Sequence, residues 1–111
     1  MGSKKNPRKA LEQAEKEQEN RKYVLRLYVS GLTPRSTSAI ENIRKICDEH
    51  LAGRFDLEVV DIFQQPDAAR QEQIIAAPTL IKKLQLPLRK FIGDLSDTER
   101  ILVGLEIKEN A

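Results

Sequence analysis

The amino-acid sequence predicts a single α/β domain with the element order βαβαββα. Three patterns support it: an almost unbroken apolar run at residues 23–29, a helix signature at 33–51, and a strand with alternating side chains at 55–62. Strand, helix and strand in so short a stretch form a βαβ unit with parallel strands. We expect this domain to span residues 23–108, because 111 residues, 40% of them hydrophobic, suffice for one core.

Residues 1–22 form a polar extension in front of this domain. Within residues 4–22, Leu11 is the only large apolar side chain, so the segment cannot present a core-facing stripe. Its i,i+4 pairs of Glu with Lys or Arg stabilise a helix by only a few tenths of a kcal/mol. We expect a solvated, fraying helix or a disordered segment, and an arm that docks on a partner is the alternative.

Charge and composition exclude several function classes. Residues 1–22 hold seven Lys and Arg against four Glu, and the remainder holds 12 basic against 13 acidic residues, so the domain lacks the concentrated basic charge of nucleic-acid-binding modules. No apolar run approaches the roughly 18 residues of a membrane span, and no signal-peptide pattern is present. The single cysteine, Cys47, agrees with a reducing compartment, and we expect a cytoplasmic protein.

The first strand and the helix after it have clear boundaries. The run at residues 23–29 is apolar except for Arg26, as expected for an interior strand covered on both faces. Thr33 is a candidate N-cap with Pro34 at the first helical position, and the helix should end before Gly53. One face of this helix carries the apolar residues Ile40, Ile43, Cys47 and Leu51.

The second strand has an acidic face in its first half. Asp56 and Glu58 alternate with Phe55 and Leu57, which is the pattern of a half-buried strand. We interpret the carboxylates either as a solvated face, which also protects an edge strand from unwanted pairing, or as a functional surface.

The chain should then continue through a helix and two short strands. The helix is predicted at residues 67–75, and Pro78 ends it because proline lacks a backbone donor. Strands at 79–84 and 88–92 follow. A turn at residues 93–94 leads into the C-terminal segment.

The C-terminal segment at residues 93–107, GDLSDTERILVGLEI, fits two secondary structures. As a helix it has Ser96 as a candidate N-cap, with Glu99 placed to reach back to the Ser96 N–H. The shared helix face would then hold Leu95, Ile101, Leu102 and Leu105. As a strand, the alternating apolar residues are Ile101, Val103, Leu105 and Ile107. Either tertiary packing overrides a weak local signal, or this segment is a two-state element.

The residues supply no catalytic constellation. The element order looks like a thioredoxin-type fold, in which a thiol oxidoreductase needs a thiolate at the start of the first helix. The loop at residues 31–35 has no cysteine, and Cys47 lies on an apolar helix face, where a free cysteine is a small buried hydrophobe. His50 is interpreted as a surface or capping residue, and one histidine with one cysteine does not make a zinc site. We expect neither an enzyme nor a cofactor.

Four blocks of the sequence resemble the KaiB family of bacterial circadian clocks. They are YVLRLYVSGLTPRS, VVDIFQQP, AAPTLIKKL and LRKFIGDLSDTERILVGLEI, in the family's order between residues 23 and 107. The chain is identified as a member of this family and as a non-cyanobacterial or divergent paralogue, because the polar extension is additional and the acidic tail of cyanobacterial members is missing.

The resemblance implies a metamorphic protein. Its ground state would be a homotetramer or dimer with the order βαββααβ, and a rarer monomer would be thioredoxin-like. The monomer would bind the hexameric ATPase KaiC, where it sequesters KaiA or excludes the histidine kinase SasA. We therefore expect a fold-switching clock regulator with a KaiC-like partner. A constitutively thioredoxin-like adaptor for a sensor histidine kinase or stress-response partner is the alternative.

The resemblance also implies which residues control the switch. Gly104 and Glu106 match positions that hold the family's ground state. Glycine inside a helix costs roughly 0.5–1 kcal/mol relative to alanine, and a glutamate near a helix C-terminus opposes the macrodipole by roughly 0.3–1 kcal/mol. The turn at Gly93 and Asp94 and an expected cis bond before Pro78 complete the predicted switch.

Partner binding is predicted at two places. The family's partner surface includes the second strand, where cyanobacterial members carry a small and a basic residue and this chain has Asp56 and Glu58. That reversal predicts a partner with matched basic charge. Arg89 and Lys90 are placed to steer an acidic partner.

Overall fold

The computed structural model describes residues 22–107, which form one four-stranded sheet with helices on both faces. The predicted order βαβαββα is confirmed. The predicted extension, apart from Lys22, and the last predicted domain residue, Lys108, lie outside the described residues. The elements are β1 (Tyr23–Val29), α1 (Pro34–His50), β2 (Phe55–Asp61), α2 (Pro66–Gln71), β3 (Thr79–Leu84), β4 (Arg89–Ile92) and α3 (Thr98–Leu105).

β1 lies inside the sheet, whose strand order is β2-β1-β3-β4. It pairs in parallel with β2, with Tyr23 opposite Phe55, and antiparallel with β3, with Leu27 opposite Leu80. The predicted βαβ unit is confirmed, and so is the interior position of the apolar first strand. β2 and β4 are therefore the two edges of the sheet.

The larger core lies between the sheet and the helices α1 and α3. Thr33 caps α1 by accepting a hydrogen bond from the Ser36 amide at 3.2 Å, and Pro34 occupies the first turn, both as predicted. Ser36 is buried, and its hydroxyl accepts a hydrogen bond from the Ser30 amide at 3.2 Å, which joins the start of α1 to the end of β1. The helical side chains buried in this core are Ala39, Ile43, Ile46, Cys47, Ile101 and Leu105.

The opposite face of the sheet carries a smaller core and one short helix. Tyr28, Val60 and Ile81 are buried there, with Ala68 of α2 packed against them. The prediction of a helix at 67–75 is too long, since α2 has only six residues. It ends early because Gln73 adopts a left-handed conformation with a φ of 55°.

The C-terminal segment is helical in this structure, but its cap differs from the prediction. Asp97 is the N-cap of α3, and its carboxylate accepts a hydrogen bond from the Arg100 amide at 3.2 Å. The prediction that Ser96 caps the helix is wrong, because the side chain that accepts from the first turn is that of Asp97; the side chain and the amide of Ser96 both hydrogen-bond Asp94 in the preceding turn. Of the predicted apolar face, Ile101 and Leu105 are buried and Leu102 packs against the core, whereas Leu95 is buried but precedes the helix.

The remaining boundaries lie close to the prediction. β2 ends at Asp61 and β4 begins at Arg89, each one residue inside the predicted limit. The bond between Ala77 and Pro78 is cis, as expected. Within residues 22–107, no helix has the length and apolar character needed to cross a membrane.

Candidate functional site

The predicted partner-binding residues lie on the two opposite edges of the sheet. Asp56 and Glu58 are exposed on β2, and Arg89 and Lys90 are exposed on β4. Because β1 and β3 lie between these strands, the four residues do not form one patch. Each edge strand leaves one row of backbone N–H and C=O groups outside the ladder, which is the geometry needed to add a further strand.

A network of charged side chains connects the two edges across the face that carries α2. Glu58 Oε2 lies 3.5 Å from the Arg26 guanidinium group, which also lies 3.8 Å from Glu72 Oε1. The same Glu72 carboxylate is paired with Lys83, and the Glu72 carbonyl accepts a hydrogen bond from Lys90 Nζ at 3.0 Å. Residues of all four strands thus meet around Glu72, which caps the C-terminal end of α2.

Sequence reasoning missed Arg26, Glu72 and Lys83 as members of this surface. One signal was available, since Arg26 is the only charge in an otherwise apolar interior strand and such a charge requires partners. Glu72 and Lys83 gave no comparable signal, because their contact depends on how the end of α2 lies over β3. The surface is therefore mixed in sign, and only its β2 edge is acidic.

Three predicted fold-switch residues meet where β4 ends. The Gly93 amide donates to the Pro78 carbonyl at 3.0 Å, and Asn42 Nδ2 of α1 donates to the Asp94 carbonyl at 2.8 Å. Hydrogen bonds from the side chain and the backbone of Ser96 lower the pKa of the Asp94 carboxyl group. Gly93 has a φ of 122°, a conformation that favours glycine. This turn is tied to both β3 and α1.

The other predicted fold-switch residues lie at the far end of α3. Gly104 faces the buried ring of Phe91, and a β-carbon at this position would lie 2.5 Å from Phe91 Cζ. An alanine here would gain about 0.5–1 kcal/mol of helix propensity but would have to displace that ring. Packing against Phe91 therefore favours glycine in this arrangement, whereas helix propensity alone favours alanine.

Glu106 ends α3 in a left-handed conformation with a φ of 56°, and its amide donates to the Leu102 and Val103 carbonyls. Its carboxylate lies 3.8 Å from Lys82 Nζ and 4.0 Å from Arg89 Nη2. The two cations offset the unfavourable interaction with the helix dipole. The expectation that Glu106 only weakens the end of the helix is therefore incomplete for this arrangement. The role of Glu106 in fold switching stays a prediction.

Lys82 is a buried amine beneath the end of α3. Its side chain is 0% exposed, and Nζ donates to the Leu105 carbonyl at 3.4 Å. From β1, the Tyr23 hydroxyl donates to the Glu106 carbonyl at 3.1 Å. Burial lowers the pKa of Lys82, although Glu106 acts in the opposite direction. Sequence reasoning missed this residue, because nothing in the pattern TLIKKL distinguishes Lys82 from its neighbour Lys83.

The described residues offer no site for thiol or metal chemistry. Cys47 is buried within α1, and burial, with a smaller contribution from Asp48, raises the pKa of its thiol to about 12. A thiol of this kind is protonated and unreactive at neutral pH. His50 Nε2 lies 3.9 Å from Glu49 Oε2 at the end of α1. Between residues 22 and 107, no three His, Cys, Asp or Glu side chains cluster as metal ligands do.

The sequence profile of the KaiB domain family matches residues 26–107, from within β1 to beyond the end of α3. The chain belongs to the KaiB family. Circadian clock protein KaiB3 of Synechocystis sp. is 49% identical over 84 residues, which are 76% of this chain and 82% of that relative. The circadian clock oscillator protein KaiB of Microcystis aeruginosa is 46% identical over 85 residues, with 77% and 82% of the two chains covered.

Solved structures of other proteins share the fold of this KaiB-family chain. The N-terminal domain of Synechococcus elongatus SasA superposes with a TM-score of 0.65 at 21% identity, over 82% of this chain and 90% of that domain. Mitochondrial thioredoxin 3 of Saccharomyces cerevisiae superposes with a TM-score of 0.63 at 14% identity, over 86% and 88% of the two chains. At these identities the likeness shows the fold alone, and it confirms the thioredoxin-like class.

Proposed function

We propose that this KaiB-family protein is a non-enzymatic clock-type regulator that binds a KaiC-like hexameric ATPase in the cytoplasm and modulates its phosphorylation cycle or its access to other partners. The observation that carries the proposal is a thioredoxin-like fold whose C-terminal helix has a sequence equally suited to a strand. Relatives named as circadian clock proteins support the clock assignment, and the shared fold of the SasA domain supports competition with a SasA-type kinase. A KaiA-like protein is a further candidate partner.

The proposal includes a second arrangement, in which the C-terminal segment is a strand and the order is βαββααβ. In α3, Val103 is 77% exposed, whereas Ile101 and Leu105 are buried. In a strand these three side chains would lie on the same face, because side chains alternate with a period of two. A strand can therefore bury apolar surface that the helix leaves in water, which supports a small free-energy difference between the two arrangements.

Exposed apolar side chains support association with another protein. Around the β3–β4 turn, Leu84, Leu86 and Leu88 are 48%, 74% and 51% exposed, and Ile92 at the β4 edge is 56% exposed. Several large apolar side chains exposed together on a small domain are typical of an interaction surface. This surface supports self-association as a dimer or tetramer as well as partner binding.

A second candidate function is a constitutively thioredoxin-like adaptor for a sensor histidine kinase or stress-response partner. It is favoured by the well-packed helical form of α3, in which Ile101 and Leu105 are buried. Such an adaptor would remain a monomer of one fold at all concentrations. The oligomeric state of the purified protein therefore separates the two candidates.

Size-exclusion chromatography with light scattering tests the leading proposal. The protein is mixed with the KaiC-like ATPase of the same genome in ATP or in ADP, and we expect a complex heavier than the hexamer in at least one nucleotide. Glu58→Lys reverses a charge at the β2 edge and removes the pair with Arg26, so we expect affinity to fall about tenfold.

Asp67→Lys is the matched control, because Asp67 is also acidic and its side chain is 88% exposed, but it lies on α2. This variant should bind like the unaltered protein. No complex in either nucleotide contradicts the proposed partner. An equal loss of affinity in both variants contradicts the assignment of the β2 edge.

A further inference from the structure

Among residues 22–107, Lys82 is the only charged residue that is buried. It lies opposite Leu25 of β1 and Arg89 of β4 in the ladder, on the sheet face that α1 and α3 cover. Burial of an ammonium group is unfavourable unless nearby partners satisfy it well. The partners of Lys82 therefore decide whether it stabilises or weakens the packing of α3.

The partners of Lys82 are poorly placed. An ammonium group has three donors, and the carbonyl of Leu105 at 3.4 Å lies beyond the usual limit of about 3.2 Å for such a bond. Glu106 Oε2 is 3.8 Å away, on a side chain that is 53% exposed and is also close to Arg89. Burial is the largest cause of the lowered pKa of Lys82. Arg89 repels Lys82 and lowers that pKa further.

We propose that Lys82 is a destabilising element built into the thioredoxin-like arrangement: its buried charge weakens the docking of α3, and Glu106 limits this effect. An ordinary ion pair stabilises the fold, so removal of either member weakens it. Here removal of Lys82 strengthens the docking of α3, whereas removal of the Glu106 charge weakens it. The effect of Lys82 on the docking of α3 does not depend on the proposed function. Only the further step, in which the released α3 enters the second arrangement, rests on the proposed function.

The groups around Lys82 fix the expected pH dependence. Charged or titratable side chains reach the end of α3 from β4 (Arg89), from β1 (Tyr23, near Arg54) and from the residue after α3 (Glu106). Burial raises the pKa of the Tyr23 phenol, which favours its protonated form. The pKa of Lys82 in the folded protein lies below its ordinary value of 10.5. Between these two pKa values the docked form therefore binds fewer protons than the undocked form. Docking of α3 therefore strengthens as pH rises from the folded pKa of Lys82 towards 10.5.

Amide hydrogen exchange followed by NMR tests the inference. In Lys82→Met we expect the amides of Leu105, Glu106 and Ile107 to exchange about three- to tenfold more slowly, because the buried charge is gone. In Glu106→Gln the same amides should exchange faster by a similar factor. The double variant should lose most of the Glu106→Gln effect, because the charge that Glu106 offsets is absent.

Lys83→Met is the matched control. Lys83 is the next residue of β3, but it points to the face that carries α2, where it pairs with Glu72. Exchange in α3 should not change in this variant. Faster exchange in Lys82→Met, or no change, overturns the inference, because Lys82 would then be an ordinary stabilising or neutral partner.

A titration of the Lys ¹³Cε resonances in the unaltered chain and in Glu106→Gln covers the case in which Lys82→Met does not fold. We expect the pKa of Lys82 to be below its ordinary value of 10.5 and to fall further in Glu106→Gln, and a Lys82 pKa at or above 10.5 overturns the inference. Oligomer size and binding to the KaiC-like ATPase are measured on the same samples. Altered exchange in α3 without any change in these two properties supports the role of Lys82 and contradicts the fold-switching proposal.

Discussion

The helices α1 and α3 cover the same face of the sheet but are fixed in different ways. α1 has 17 residues, a Thr33 cap that also contacts the buried Ser36, and a closing bond from the Leu51 amide to the Cys47 carbonyl at 2.8 Å. α3 has 8 residues, begins at an exposed cap and ends at Glu106 above a buried charge. Contacts between Thr33 and Ser36 hold the start of α1, and the Arg54 guanidinium group donates to the His50 carbonyl at its end at 3.5 Å. A buried charge that its partners satisfy weakly lies under one end of α3. We therefore expect the C-terminal half to be less stable than the βαβ half.

The largest expected effect comes from deleting matched side chains of the two helices. Ile43 and Ile101 are 0% and 3% exposed, and truncating either to alanine removes the same atoms from the core. Ile43→Ala should lower the free energy of unfolding of the whole domain by about 2–5 kcal/mol. Ile101→Ala should mainly release α3, so the urea midpoint followed by far-UV circular dichroism should fall less. Equal shifts of the midpoint would contradict the proposed difference between the halves.

A smaller effect is expected where Gly104 meets Phe91. Gly104→Ala should weaken the docking of α3, because overpacking costs about 1–3 kcal/mol and the gain in helix propensity is about 0.5–1 kcal/mol. In a Phe91→Leu background the same alanine should be neutral or stabilising, because the ring is gone. Amide exchange in α3 is measured in the unaltered chain, in the two single variants and in the double variant. Together the four measurements give the coupling between Gly104 and Phe91. An alanine that slows exchange equally in both backgrounds would show that the Phe91 ring moves without cost.

Capping residues give a third comparison of the two helices. Thr33→Ala and Asp97→Ala each remove one side-chain acceptor from a helix start, a loss of about 1 kcal/mol. The loss at Thr33 should appear in global unfolding, since α1 belongs to the βαβ unit. The loss at Asp97 should appear as faster exchange in α3 with little change in the midpoint of global unfolding. Global loss of the same size from both would argue that α3 never opens alone.

Most of the fold was predictable from the sequence because its signals are local. The apolar run of β1 and the Thr33 cap each act within a few residues, and each predicted an element that the structure contains. The Pro78 signal placed the end of α2 too late, because the helix ends at Gln71. The cap of α3 was assigned wrongly to Ser96, because the Ser96 side chain hydrogen-bonds Asp94 and the Asp97 carboxylate accepts from the first turn of the helix.

The candidate site was predictable only in part, because it depends on which strands become neighbours. Asp56 and Glu58 were correctly expected on an edge strand, but the sequence did not show that β2 and β4 are opposite edges. The roles of Arg26 and Lys82 arise from contacts between strands and helices distant in the chain. No local pattern separates the buried Lys82 from the adjacent Lys83.

The last comparison concerns the thiol in α1. The pKa of Cys47 is raised to about 12 from an ordinary value of 9.0, so the folded state favours the protonated form. The protonated Cys47 thiol therefore stabilises the folded state below pH 9, and this contribution is lost as pH rises from 9 towards 12. At pH 8 a thiol reagent should label Cys47 at least about 100-fold more slowly than a free thiol, because α1 must open first. Labelling at the rate of a free thiol would contradict the stable packing of α1.

We propose that the C-terminal half of this KaiB-family chain has two arrangements of similar free energy. NMR of the isotope-labelled protein at low and high concentration tests it directly, with cross-strand contacts of residues 101–107 as the readout. We predict two sets of resonances for this segment, one helical and one with strand contacts, and the strand set should grow with concentration as the protein self-associates. A single helical set at every concentration would contradict the claim.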